Sequence, residues 1–338
     1  MPEPTTKRLR IALSAGGNKE ELARVGLGEE HINELMVRIV MRLLPNHHQL
    51  AFGGSLNQPN EELTKRMIDA TIRSRDNTGV ESEDKSRSAA KRESRNSRKG
   101  AASLAIDVNE PKTWPLVNYS AWPFYREITP QQRAEWVGIC NIWTVDPDHM
   151  SPLDNEALKE GHWTQNPRLC RLNADALWNM RRLSTKETDL RIVWGGRIAG
   201  AKGWMPGILE EVGESLISSE QKPVLILGGF GGCASLLATY IVTSDERCLE
   251  EVNLESCANE ARDRQLTGNE TRALKARFNQ YKSALQDYHQ LFHKKSTVDC
   301  RGVSRDLVET LLTTTSPLQA LVAIAKAVDQ LSRQPGSP

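Results

Sequence analysis

The sequence predicts an α/β fold: a Rossmann-like, doubly wound, mostly parallel sheet with helices on both faces, followed by a C-terminal helical extension. Three observations carry this. Short apolar runs end repeatedly in glycine turns, helical periodicity follows the first of those turns, and beyond residue 242 the strand patterning gives way to helix alone. Alternating βαβα order favours a parallel sheet covered by helices. The expected division is a nucleotide-binding domain over 8–242, interrupted by an insertion at 73–100, and a helical extension over 243–333.

The elements follow in order. Leu9 to Ser14 is a short apolar run closed by Ala15, Gly16 and Gly17, a strand and its turn. Over 29–44, Ile32, Leu35, Met36, Ile39, Val40, Leu43 and Leu44 recur at helical spacing, and Pro45 stops that helix. Leu50, Ala51 and Phe52 run into Gly53, Gly54 and Ser55 as a second strand and turn, with a helix after it over 61–72. Residues 73–100 are rich in Ser, Arg, Lys and Glu and almost free of large apolar side chains, which predicts a disordered loop. Its acidic residues dilute the positive charge that a nucleic-acid arm would need.

Order resumes near Thr113, with a strand over 116–122, a helix entered at Pro130 and a further strand over 139–145. The aromatic cluster Trp114, Tyr119, Trp122, Phe124 and Tyr125 suits core packing better than base stacking. A helix over 175–185 carries Arg181; helices are expected again over 233–242, 245–261, 270–293, 304–313 and 317–331. The extension is either a cover for the sheet or a self-association surface.

Bulk properties narrow the classes. Lys and Arg number 44 against 43 Asp and Glu, a formal net charge of +1, so no global field points to nucleic acid or membrane. The six cysteines form no Cys-x-x-Cys pair, and no histidine stands at metal-ligand spacing, so reduced thiols, no metal and no cofactor are expected. No signal peptide and no apolar run of about 18–20 residues is present, which predicts a cytoplasmic protein.

Four turns, at Gly16–Gly17, Gly53–Gly54–Ser55, Gly195–Gly196–Arg197 and Gly228–Gly229–Phe230–Gly231–Gly232, all close apolar runs. In a parallel sheet they share one edge, where glycine lets the backbone approach a ligand, so a phosphate- or nucleotide-binding crevice is predicted there. Gly229-x-Gly231-x-x-Ala234 matches part of the dinucleotide fingerprint, but no second strand with a closing acid follows, which argues against an ordinary NAD site. Pro206 is expected at the first position of a helix that holds Glu210 and Glu211 near its positive end. Either they stabilise the helix start or one of them faces the crevice.

The set Met180-Arg181, Asp189, Gly195-Gly196-Arg197, Pro206 through Glu211 and Pro223 through Gly232 resembles the SLOG superfamily, as do the strand endings at Ala12–Ala15 and Ala51–Ser55. That superfamily includes LOG-type phosphoribohydrolases, single-strand-binding DNA-processing proteins and TRPM N-terminal domains; the likeness is greatest to its prokaryotic sensor-like branch, over about residues 8–242. LOG-type enzymes pair an arginine with the glutamate closing Pro-Gly-Gly-x-Gly-Thr-x-x-Glu, and Arg181, Gly207 and Glu211 match those positions. The phosphate turn is split here by Arg197 to Met205, and Ile208 replaces the threonine. The resemblance therefore implies nucleotide binding more firmly than hydrolysis, with the insert's Arg197, Lys202 and Trp204 suited to a diphosphate or a larger nucleotide. The expected partner is a nucleotide-derived small molecule such as ADP-ribose, cyclic ADP-ribose or NAD⁺, sensed in nucleotide signalling or anti-phage defence, with a homo-oligomer or separate effector downstream. An N-glycosidic hydrolase using Glu211 and Arg181 is the alternative, and a DNA-binding scaffold a second one disfavoured by the neutral charge.

Overall fold

The computed structural model describes residues 7–16, 19–54, 64–74, 114–159, 163–254, 266–294 and 299–333. Gly17, Ser55 and all but the first two residues of the Arg/Ser-rich stretch lie outside them. Six strands form one parallel sheet in the order β4-β3-β2-β1-β5-β6. They are β1 (Arg10–Gly16), β2 (Gln49–Gly53), β3 (Leu116–Ala121), β4 (Cys140–Val145), β5 (Leu190–Gly195) and β6 (Val224–Leu227).

Side chains alternate across the pleat and feed two apolar layers. Ile11, Leu13, Leu50, Phe52 and Leu116 join the core that includes α2 (Glu29–Leu43) and α3 (64–74). Ala51, Val117, Tyr119 and Ala121 point the other way, against α6 (Pro167–Glu187). The doubly wound architecture expected from the sequence is therefore present. Tyr119 and Trp122 are fully buried in the second layer, so the aromatic cluster serves packing.

Several boundaries moved for identifiable reasons. α6 starts eight residues before 175, because the Asn166 side chain accepts from the N–H groups of Arg168 and Leu169 and Pro167 takes the first turn. The short helices α1 (Lys19–Arg24) and α5 (Pro152–Lys159) went unread. α4 (Pro130–Glu135) enters through a Thr129–Gln132 capping box at the expected proline. α7 (Gly207–Ile217) begins one residue later than expected, with Pro206 as its N-cap. α8 (Gly232–Thr243) is followed by a four-residue α9 (Arg247–Glu250) and a turn at 251–254, so the helix expected over 245–261 is interrupted.

The C-terminal extension folds back over the sheet. α10 (Gly268–His293), capped by Thr267 and Glu270, packs on α7 and α8. After a β7–β8 hairpin (Asp299–Cys300, Val303–Ser304), α11 (Arg305–Thr313) lies against β6 and α12 (Pro317–Ser332) against α2. The hairpin turn is Arg301-Gly302, both at positive φ (55° and 86°), the geometry a two-residue hairpin requires. The five described cysteines are free and buried; Cys257 lies outside the described residues. Among the described residues no helix is long and apolar enough to cross a membrane.

Candidate functional site

The chain runs outward from β1 to β2 on one side and returns through β5 on the other. Such a reversal opens a crevice at the carboxyl ends of the strands. A cavity of about 390 Å³ occupies that place, bounded by Gly16 of β1, Gly53 and Gly54 of β2, and Gly196 beyond β5. Gly195 and Gly196 take φ of 63° and 88°, and Gly196 donates to the Gly16 carbonyl at 2.7 Å, tying the two strand ends together. The start of α7, at Pro206, Gly207 and Ile208, forms another wall, so the positive end of that helix borders the space.

Arg181, from α6, lines the cavity and is buried; Glu210 is buried completely and forms an ion pair with its Nη1. The Met205 N–H also donates to Glu210, at 3.1 Å. Burial lowers the Arg181 guanidinium's pKa, but the attraction of Glu210 and then Glu211 outweighs it and the net direction is up. Burial pushes Glu210 upward against the pull of the same arginine. A guanidinium does not give up its proton in the working pH range, so Arg181 keeps its charge beside Glu210. The approach is close: a Cβ at Gly203 would lie 2.6 Å from Arg181 Nη1, and one at Gly207 2.8 Å from Nη2. Arg181 Nε is buried without a hydrogen-bond partner.

Glu211 lines the cavity as well, and of the two adjacent glutamates it alone does so. Its nearest cation is Arg191 of β5, whose Nη1 stands 3.8 Å from Glu211 Oε1. Arg191 is buried beneath the cavity floor. It donates to Ser14 Oγ at 2.7 Å, Ser184 Oγ at 2.7 Å, Thr185 Oγ1 at 3.0 Å and Ser215 Oγ at 3.1 Å, joining β1, α6 and α7. Burial lowers its pKa, with Glu211 the first charge that pulls it back. The sequence reading passed over Arg191 and Ser14. The available signal was a charge inside an otherwise apolar strand, since arginine is almost never fully buried unless paired.

The insert folds against the site. Trp204 Nε1 donates to Asp175 at 2.8 Å, Met205 is fully buried, and Arg197 and Lys202 stand exposed at the rim, with Lys202 Nζ 4.9 Å from the Phe124 ring centroid. Ile208, in place of threonine, packs its Cγ1 2.3 Å from where a Gly196 Cβ would stand, so an apolar group fills the split turn.

The turn after β6 is elsewhere. None of Gly228, Gly229, Phe230, Gly231 or Gly232 lines this cavity. A Cβ on Gly228 would meet the Leu312 carbonyl at 2.2 Å and one on Gly229 the Thr314 carbonyl at 2.1 Å. The absent side chains there admit the end of α11, and Cys233 N–H bonds Gly196 O at 3.0 Å. Asp189 likewise sits at the opposite end of β5, accepting from Arg10 N–H and Lys7.

The family model for SLOG cluster2 matches residues 5–88 and 105–310. The chain belongs to the SLOG superfamily. The SLOG match breaks only within or beside the Arg/Ser-rich stretch and continues through α10 into α11, past the expected edge at 242. No curated protein and no solved structure matches this SLOG chain.

Proposed function

We propose that this SLOG protein binds a nucleotide-derived small molecule in the cavity at the β1–β5 crossover and acts as a sensor. The observation that carries the reading is the convergence there of Gly16, Gly53, Gly196, the α7 N-terminus, Arg181 and Glu211. The exposed Arg197 and Lys202 at the rim suit the diphosphate of ADP-ribose, cyclic ADP-ribose or NAD⁺. Binding is favoured over cleavage because Ile208 fills the place of the phosphate-binding threonine and Glu210 neutralises Arg181. Nucleotide signalling or anti-phage defence is the setting we infer from the likeness to the sensor-like branch.

Ligand at about 100-fold over its dissociation constant stabilises the folded state by about 2.7 kcal/mol. A thermal-shift panel of these nucleotides is expected to raise the melting temperature; a panel that leaves it unchanged refutes the reading. A second reading, hydrolysis of an N-glycosidic bond, is supported by one observation: the Glu211 carboxylate faces the cavity with no hydrogen-bond donor in reach among the described residues. Such a group can stabilise an oxocarbenium-like ribosyl or activate water. Free base released from AMP or NAD⁺, and lost in Glu211→Gln, would establish it.

A further inference from the structure

The floor of the cavity has a fixed hydrogen-bonding sense that follows from the chemistry of three side chains. Arginine donates and never accepts. The 2.7 Å contact between Arg191 Nη1 and Ser14 Oγ therefore makes the serine oxygen the acceptor. A hydroxyl retains its own proton when it accepts, and the Ser14 hydroxyl donates to no described residue. Ser14 and Glu211 both line the cavity, and the same Arg191 nitrogen stands 3.8 Å from Glu211 Oε1. Ionised, Glu211 offers acceptors only. Register explains the grouping: Ala12 pairs with Arg191 and Ser14 with Val193, so Ser14 and Arg191 share the sheet face that α6 and α7 cover.

We infer that Ser14 and Glu211, held by Arg191, form a donor–acceptor pair that reads a vicinal diol, one ligand hydroxyl accepting from Ser14 and its neighbour donating to Glu211. The inference rests on the ligand-binding reading above and goes further by assigning Ser14 as a specificity-determining residue and Arg191 as a positioning residue. The ligand class it selects is ribosyl, with the deoxyribosyl counterpart rejected.

Isothermal titration with AMP, 2′-deoxy-AMP, ribose 5-phosphate and 2-deoxyribose 5-phosphate tests it. The intact protein is expected to bind each ribo form about tenfold or more tightly than its deoxy partner, the worth of one hydrogen bond to a charged group. The 2-hydroxyl that the deoxy forms lack is the one donating to Glu211, so Glu211→Gln should bring the two forms to near-equal affinity. Ser14→Ala should weaken both forms alike, while Ser14→Thr, which keeps the hydroxyl, should bind as the intact protein does. Glu211→Gln leaves Ser14 and its bond to Arg191 in place, so it decides the matter even if Ser14→Ala folds poorly. Equal binding of ribo and deoxy probes by the intact protein, an undiminished preference in Glu211→Gln, or unchanged affinity in Ser14→Ala overturns the inference and leaves the ligand-binding reading standing. Failure of every probe to bind removes both.

Discussion

Removing the Glu210 carboxylate is the sharpest test of how the site is built. Glu210 is fully buried against Arg181, itself buried, and takes the Met205 N–H at 3.1 Å. Glu210→Ala leaves a guanidinium charge uncompensated and a backbone N–H without its acceptor. Breaking a buried pair from one side costs about 3–5 kcal/mol. Typical domains hold about 5–15 kcal/mol in total, so much of the stability goes. Urea unfolding should show the midpoint falling with the slope unchanged. Glu210→Gln keeps the shape and an oxygen for Met205, so the difference between the two variants separates the charge from the cavity. Combining Glu210→Ala with Arg181→Met should cost well below the sum of the single changes, with a coupling of about 2 kcal/mol. An alanine variant costing under about 1 kcal/mol, or a strictly additive double mutant, refutes the buried pair as the site's support.

Three further expectations are independent of it. Gly229→Ala places a Cβ 2.1 Å from the Thr314 carbonyl, so α11 must shift; the expected loss is about 1–3 kcal/mol, with faster amide exchange over 305–332. Unchanged exchange there would contradict the close approach. Asp154 is held well below the usual carboxylate range, first by its bond to Arg168 and then, against the opposing cost of burial, by Ser151. Because the folded value lies below the unfolded value of about 3.9, its contribution is complete above that pH and fades as pH falls through it. Asp154→Asn should therefore flatten the loss of stability below about pH 5, read by chemical unfolding across pH, and an unaltered profile would exclude the pair. Glu211→Gln should leave the urea midpoint within about 1 kcal/mol of the parent, since the amide keeps the side chain's shape and Arg191 keeps its four hydroxyl acceptors; a larger drop would mean that Arg191 depends on that carboxylate for folding.

Four strands, β1, β2, β5 and β6, were legible because each joins two signals, an apolar run and a glycine that ends it, while β3 and β4 were read from their apolar runs alone. Gly16, Gly53 and Gly196 were correctly read as sharing an edge, since parallel strands bring their turns to one side. The same signal at Gly228 to Gly232 lies off the lining of that cavity. Glycine reports only that something comes close: for Gly228 and Gly229 it is the backbone at 312–315, some eighty residues onward, and for Gly232 it is the backbone of Gly195 and Gly196. The local pattern left open which of Glu210 and Glu211 faces the cavity, and only the family resemblance singled out Glu211. They are adjacent in sequence, and the choice depends on where Arg181 and Arg191 stand on separate elements. The start of α6 was written plainly in Asn166-Pro167, with Leu169, Leu172 and Ala176 following at helical spacing, and was legible though unread.

The docking of α11 on β6 has a consequence for handling the protein. β6 is the last strand of the sheet, and α11 packs against it while its following loop closes over Gly228 and Gly229. A chain ended after α8 would uncover that strand and the apolar residues Val308, Leu311 and Leu312 would no longer shield it. Bare outer strands recruit other chains, so such a fragment should be sticky rather than merely less stable. Expression boundaries drawn at the edge of the nucleotide fold would therefore yield aggregates, and those drawn past Ser332 keep the outer strand sheltered.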